Sequence, residues 1–323
     1  MPAIKWSYAL NQWRATYDTF VRQEQHERAL KTLAACGFHS IEISCGPGRW
    51  DPLGNREMIE ANHGSISGLR QWLQSCGIET VSSFFLDPAM FLSAQGDVPL
   101  SAANPAHRRE IAELARSYIE MLPQLGGDRL IVRAAPPFWR NPDPGTAFID
   151  GLAQCWNDVA EAAAGSGVRI GLHLDCIAAI RSRQNIAALL HATDPNGVGL
   201  AIDTAEFVIA GLDPQAVFEE FPHRVVHFQL KDAVEVDELQ EYRLAHAEQH
   251  MLSSGGQREV TRWFWEMGVP RGRVDFPALL ASTQRHGYDG WMVVESDQSP
   301  YPATSAMLNA WYIKHRLQVP IRA

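Results

Sequence analysis

Apolar and polar positions along this chain follow one repeating rhythm: a helical stretch, a glycine-bearing turn, then a short apolar run. Glu24–Cys36 carries a helical pattern and stops at Gly37, ahead of the strand Ser40–Ser44. Glu57–Cys76 stops at Gly77 ahead of Glu79–Phe85, and Pro105–Leu125 stops at Gly126-Gly127 ahead of Arg129–Ala134. Thr146–Ala164 ends in Gly165-Ser166-Gly167 before Arg169–Asp175. Gln184–Ala192 leads to Val198–Asp203, Pro214–Phe221 to Arg224–Leu230, and Phe276–His286 to Trp291–Glu295. Glycine just past a helix takes the left-handed conformation that ends it, so these stops have a physical basis. With an opening strand at Ile4–Ala9 and a closing helix near Ala303–Arg316, the expectation is eight strands and eight helices. Alternating β and α elements imply a parallel sheet, and eight repeats imply its closure into a (β/α)8 TIM barrel.

No break in composition divides the 323 residues, so a single domain over 1–323 is expected. One irregularity is the segment Ala233–Arg273, an insertion between the seventh and eighth strands. A loop much beyond about 15 residues in a compact domain is usually functional or partly ordered. This one joins a charged, helical stretch, Glu235–Met251, to Trp263-Phe264-Trp265-Glu266-Met267. Three neighbouring large aromatics predict a segment that covers the barrel mouth, touching substrate or a second chain, with Trp263 or Trp265 as anchor. The alternative is that they only pin the loop to the barrel.

Composition narrows the class. With 46% apolar and 20% charged residues, the chain has the make-up of a soluble globular protein with a large core. A formal charge of −9 argues against nucleic acid as a partner, because phosphate binding draws on a basic surface. No stretch approaches the roughly 18 uninterrupted apolar residues of a membrane span. The opening Met-Pro-Ala-Ile-Lys-Trp lacks a signal-peptide core. Cys36, Cys45, Cys76, Cys155 and Cys176 are scattered and never spaced as CxxC, which fits reduced thiols in a cytoplasmic protein.

The candidate chemistry lies at four strand ends. Arg169–Asp175, Val198–Asp203, Val225–Asp232 and Trp291–Asp297 are apolar runs that each finish in metal-binding or acid/base side chains. A parallel barrel carries its active site at that end of its strands. Because side chains alternate on a strand, His173 and Asp175 share a face, as do His227, Gln229 and Lys231. Asp203 and Glu295 end apolar strands, where a carboxylate is costly to bury without a positive partner. The competing readings are an N-cap for Asp203 and a structural salt bridge for Glu295. Of His173 and Asp175, one is expected to bind a metal and the other to move a proton or support it. Gln229 can ligate through its amide oxygen. Lys231 either polarises a substrate oxygen or pairs with Asp203 or Glu295. Oxygen ligands with one imidazole suit Mn²⁺, Mg²⁺ or a similar ion. His107, His191 and His223 fall on or beside helical patterns and read as surface residues. No G-x-G-x-x-G follows an early strand, and neither G-x-x-x-x-G-K-[ST] nor G-x-S-x-G occurs, so a phosphate cradle and a serine-hydrolase elbow are absent.

Five pieces carry a resemblance: Asp203-Thr204, Ala210-Gly211-Leu212-Asp213-Pro214, Leu230-Lys231-Asp232, Val274-Asp275-Phe276, and Gly287-Tyr288-Asp289-Gly290-Trp291 leading to Glu295. Together they resemble the xylose-isomerase-like barrels, a family of sugar isomerases, epimerases and related lyases. The likeness spans nearly the whole chain and is strongest from Gly167 to Ser299. It implies one divalent ion, Mn²⁺ foremost with Mg²⁺, Co²⁺ or Zn²⁺ as alternatives, held by a Glu, an Asp, a His and a second Glu. By position, the second and fourth fall on Asp203 and Glu295. His173 stands where the first Glu would be, Gln229 where the His would be, and Glu206 where an Asp-Thr-x-His motif has its histidine.

These departures weaken a plain ketose epimerase, which uses two metal-bound glutamates. The resemblance instead implies the lyase branch, which includes inosose dehydratases and C-glycoside deglycosidase α-subunits. The latter, which eliminate an aglycone from a 3-keto-glycoside, are the expectation taken here; sugar isomerase, 3-epimerase and inosose dehydratase are the alternatives. The ion, on His173, Asp203, Gln229 and Glu295, would stabilise an enolate, with His173, Asp175 or His227 as base. The non-enzymatic alternative is a sugar-binding or partner-dependent subunit. The expected partners are thus a sugar or keto-glycoside and either a second copy or a small second subunit.

Overall fold

The computed structural model describes residues 4–11, 13, 22–46, 51–140, 144–237, 263–297 and 299–321. Its frame is the predicted closed parallel barrel. The strands are β1 (Lys5–Ala9), β2 (Ser40–Ser44), β3 (Thr80–Leu86), β4 (Arg129–Arg133), β5 (Arg169–His173), β6 (Val198–Asp203) and β7 (Val225–Leu230). A two-stranded antiparallel pair, β8 (Asp232–Ala233) and β9 (Phe264–Trp265), follows, and β10 (Trp291–Val294) completes the barrel between β7 and β1. The apolar runs are strands because each is covered on both faces: helices pack outside and the barrel interior lies within. Among the described residues, no helix is long and apolar enough to cross a membrane. All five cysteines are free thiols.

Two interior features set the shape of the site. Gly199 on β6 lies so close to β7 that an added Cβ would stand 2.4 Å from the Arg224 carbonyl oxygen and from Val226 Cγ1. That close approach accompanies the shift in β6–β7 register between Leu200 and Ala201. A similar shift between Ile41 and Glu42 turns Ser83 of β3 toward Glu42 of β2.

The structure revises two of the expectations on the fold. The stretch read as one helix over Glu57–Cys76 is two, Arg56–His63 and Ile66–Ser75. Gly64, at φ 74°, ends the first, and the Ser65 hydroxyl caps the second by accepting from Gly68 N. The apolar period runs across this break, which hides it from the sequence pattern. His107 is buried, not on the surface: its ring nitrogens meet Ser101 N and Asn104 Nδ2, both at 3.1 Å, and fasten a loop ahead of Arg108–Met121. His191 and His223 are exposed as expected. Of the helix expected over Glu235–Met251, residues 235–237 are irregular and the rest lies outside the described residues.

Candidate active site

The polar strand ends meet at the C-terminal mouth of the barrel, centred on Lys231. This side chain is 2% exposed, and its Nζ stands 2.8 Å from Asp203 Oδ2, 3.0 Å from Glu295 Oε2 and 2.5 Å from Asp297 Oδ2. An ammonium has three N–H donors, and three carboxylates surround this one. Burial works against its charge, but Asp203, Asp297 and Glu295 outweigh that and hold Lys231 well above its ordinary value. The Phe264 ring of β9 lies over the ammonium, 4.4 Å from Nζ to centroid. Asn11, just past β1, donates to both Glu295 and Asp297.

Asp203 serves two functions at once. Its Oδ1 accepts from Ala205 N and Glu206 N, capping the helix Thr204–Ile209, while Oδ2 faces Lys231 and His173 Nε2, the latter at 3.3 Å. Burial pushes Asp203 upward, yet Lys231 and His173 hold it below the usual carboxylate range. The same contact, with Asp175, raises His173 against the effect of its burial.

A second ion cluster adjoins the first. Arg133, at the end of β4, donates to Asp87 Oδ2 at 2.6 Å and to Asp175 Oδ1 at 3.1 Å. Its side chain is 38% exposed and that of Asp297 is 25% exposed, so these two groups form the solvent-facing side of the cluster. Glu206 is buried behind Asp175, and its Oε2 accepts from Cys176 N at 2.7 Å. Burial, then the charges of Asp175 and Asp203, push Glu206 up to about 7. Burial and the adjacent Asp297 likewise push Glu295 well above the carboxylate range, whereas Lys231 pulls Asp297 below it despite burial. Carboxyl groups whose proton affinities are driven apart in one cleft suit paired acid and base roles.

Of the residues expected at the site, His173, Asp175, Asp203, Lys231 and Glu295 come together here. His227 does not. It is fully buried in the barrel interior, its Nε2 3.0 Å from Glu42 Oε2. Gln229 is turned the same way, donating through Nε2 to Glu42 Oε1 at 2.6 Å. Ser83 Oγ completes that layer by donating to Glu42 Oε2. Burial raises Glu42, but His227, Ser83 and Gln229 outweigh it and hold the carboxylate low. Sequence reasoning missed Glu42, Asp87 and Arg133, and it gave no role to Glu206 or Asp297, although both lie in stretches it singled out. Glu42 and Arg133 carried a signal: Glu42 is a charge between two buried isoleucines of β2, and Arg133 is a charge at the C-terminal end of β4 after Leu130-Ile131-Val132.

Of the two tryptophans expected as anchors, the structure buries Trp263 and leaves Trp265 less covered. Trp263 and Phe264 belong to the hydrophobic core, and Phe264 is the ring over Lys231; Trp265 is only partly buried. Trp263 and Phe264 therefore pin the segment to the barrel.

A closed barrel with a polar mouth of this kind defines a class of barrel proteins, and the comparisons place the chain within it. It belongs to the xylose isomerase-like TIM barrel family, whose model matches residues 30–312. It is 23% identical over 284 residues to the inosose dehydratase of Lacticaseibacillus casei, covering 86% of this chain and 84% of that one. In fold it is similar to the D-allulose 3-epimerase of Methylomonas sp., with a TM-score of 0.65, 16% identity and 98% of both chains covered. It is also similar in fold to the IolI protein crystallised with a zinc atom, with a TM-score of 0.64, 14% identity, and 96% of this chain and 95% of that one covered.

The family resemblance implies a divalent ion, and the donor set here does not fit one. Among the described residues, no three His, Cys, Asp or Glu side chains are grouped to hold a metal ion. The four expected ligands, His173, Asp203, Gln229 and Glu295, share one end of the barrel but not a common point. The Lys231 ammonium stands between Asp203 and Glu295, and the Gln229 amide is turned to Glu42.

Proposed function

We propose that this chain is an enzyme acting on sugar-like ketones, removing the proton next to a carbonyl and then expelling a β-hydroxyl as water. The observation that carries this reading is the buried cluster in which a cation, Lys231, stands among carboxyl groups of divergent proton affinity. Lys231 opposes the charge that develops on the carbonyl oxygen as the enolate forms, where a fixed cation in a water-poor site is most effective. Glu206, poised at about 7, has the affinity of a base working near neutral pH. Glu295, whose carboxyl burial and Asp297 push well above the usual carboxylate range, is suited to pass a proton to the leaving oxygen. Arg133 and Asp297, the groups that reach solvent, are placed to meet the hydroxyls of an entering substrate.

The curated relatives named as inosose dehydratases support water as the leaving group and a keto-cyclitol as the substrate class. Aglycone elimination from a 3-keto-glycoside would use the same enolate with another leaving group. Epimerisation would return the proton instead, a reading favoured only by the fold neighbours. The test is incubation with an inosose in D₂O, followed by NMR. Deuterium should enter the α-position, and an unsaturated or diketone product should accumulate. No exchange and no elimination with inososes, 3-keto-glycosides or ketoses, with and without added Mn²⁺, would overturn the reading.

A further inference from the structure

We infer that Lys231 is this chain's built-in substitute for a divalent cation: its ammonium occupies the point between Asp203 and Glu295 at which the barrel would otherwise bind a metal ion. Three observations carry this. The Nζ sits 2.8 Å from Asp203 Oδ2, 3.0 Å from Glu295 Oε2 and 2.5 Å from Asp297 Oδ2, so all three N–H donors face carboxyl oxygens. A divalent ion bonded to the same Oδ2 and Oε2 at roughly 2.0–2.6 Å would lie within about 4 Å of that ammonium, and the two positive charges would repel in a site shielded from water. The neighbouring donors are also engaged elsewhere. Asp203 Oδ1 caps Ala205 and Glu206, His173 Nε2 faces Asp203, Glu295 accepts from Asn11, and the Gln229 amide donates to Glu42.

The chain also gives Lys231 no easy alternative position. Phe264 lies over its ammonium, and the side chain is 2% exposed. Withdrawing it to admit a metal ion would strip a buried ammonium of three carboxyl partners at once. A cation anchored by a covalent stem neither dissociates nor exchanges, so the carboxylates stay neutralised whatever the metal supply.

The inference concerns cation binding, so it stands or falls separately from the proposed reaction. The test uses protein freed of metal by chelation and then dialysed, with Mn²⁺ binding followed by loss of the free-ion EPR signal. The wild-type chain should leave Mn²⁺ free up to about millimolar concentration, with its thermal midpoint unmoved. Lys231→Ala removes the ammonium and opens the space between the carboxylates. It should bind one Mn²⁺ at least about 100-fold more tightly than the wild type, with a midpoint that rises on adding the ion. Asp203→Asn in the Lys231→Ala background should abolish the gain and so locate it. Should Lys231→Ala not fold without metal, refolding it with and without Mn²⁺ gives the same information, since the inference expects rescue by the ion. Lys231→Gln, which keeps most of the packing, provides a second variant with the same expected direction. Stoichiometric Mn²⁺ binding by the wild type that is lost on Asp203→Asn would overturn the inference. So would a failure of both Lys231 variants to gain binding.

Discussion

Replacing Glu206 with Gln should remove a pH dependence from the stability of this protein. Glu206 is 5% exposed, and burial with the charges of Asp175 and Asp203 lifts it from an ordinary value of 4.5 to about 7. The folded chain therefore holds this proton more tightly than the unfolded chain does. Its contribution to stability is fully present below about 4.5 and is lost as pH rises through about 7. A shift of that size corresponds to about 3 kcal/mol across the window. Glutamine mimics the protonated carboxyl, and its amide oxygen can still accept from Cys176 N. The unfolding free energy of Glu206→Gln, relative to wild type, should accordingly grow by about 2–3 kcal/mol between about pH 5 and pH 8. Urea denaturation followed by tryptophan fluorescence at several pH values would measure it. Asp175→Asn should reduce the same slope, because Asp175 is the largest of the charges acting on Glu206. Parallel stability curves for wild type and Glu206→Gln would refute the reasoning and return Glu206 to an ordinary ionised carboxylate.

Two further outcomes test how the mouth of the barrel is held. Asp232 accepts from the backbone N–H groups of Ala233, Gly268, Arg273 and Val274, tying both ends of the long insertion to β7. Asp232→Ala should cost at least about 3 kcal/mol in denaturant unfolding and speed proteolysis between 233 and 273, since several buried donors lose their acceptor. Phe264→Ala should cost about 3–5 kcal/mol as a core truncation, whereas Phe264→Leu should cost under about 1.5 kcal/mol and lose only the ring over Lys231. Equal effects of the two in thermal and urea unfolding would place Phe264 outside the core.

Period and punctuation along the chain determined the fold. Strands such as Ser40–Ser44 and Val198–Asp203 lie where their apolar runs predicted, because burial on both sides of a barrel strand writes a local signal. The same local signal marked Asp203, Glu295 and Lys231 as unusual, since a charge ending an apolar strand needs a partner. Partnership itself is not local. Lys231 meets carboxylates from β6 and from beyond β10, Arg133 joins Asp87 to Asp175, and His227 turns to Glu42 across the interior. Alternation tells which face of a strand a side chain leaves. It does not tell how far inward a neighbouring strand is shifted, as the register breaks beside Glu42 and Ala201 do here. Those shifts, and the reach of a four-carbon stem, put an ammonium rather than an open position between Asp203 and Glu295. Only the closed barrel decided that, because ionic energy depends on distances between tips whose sequence positions lie tens of residues apart.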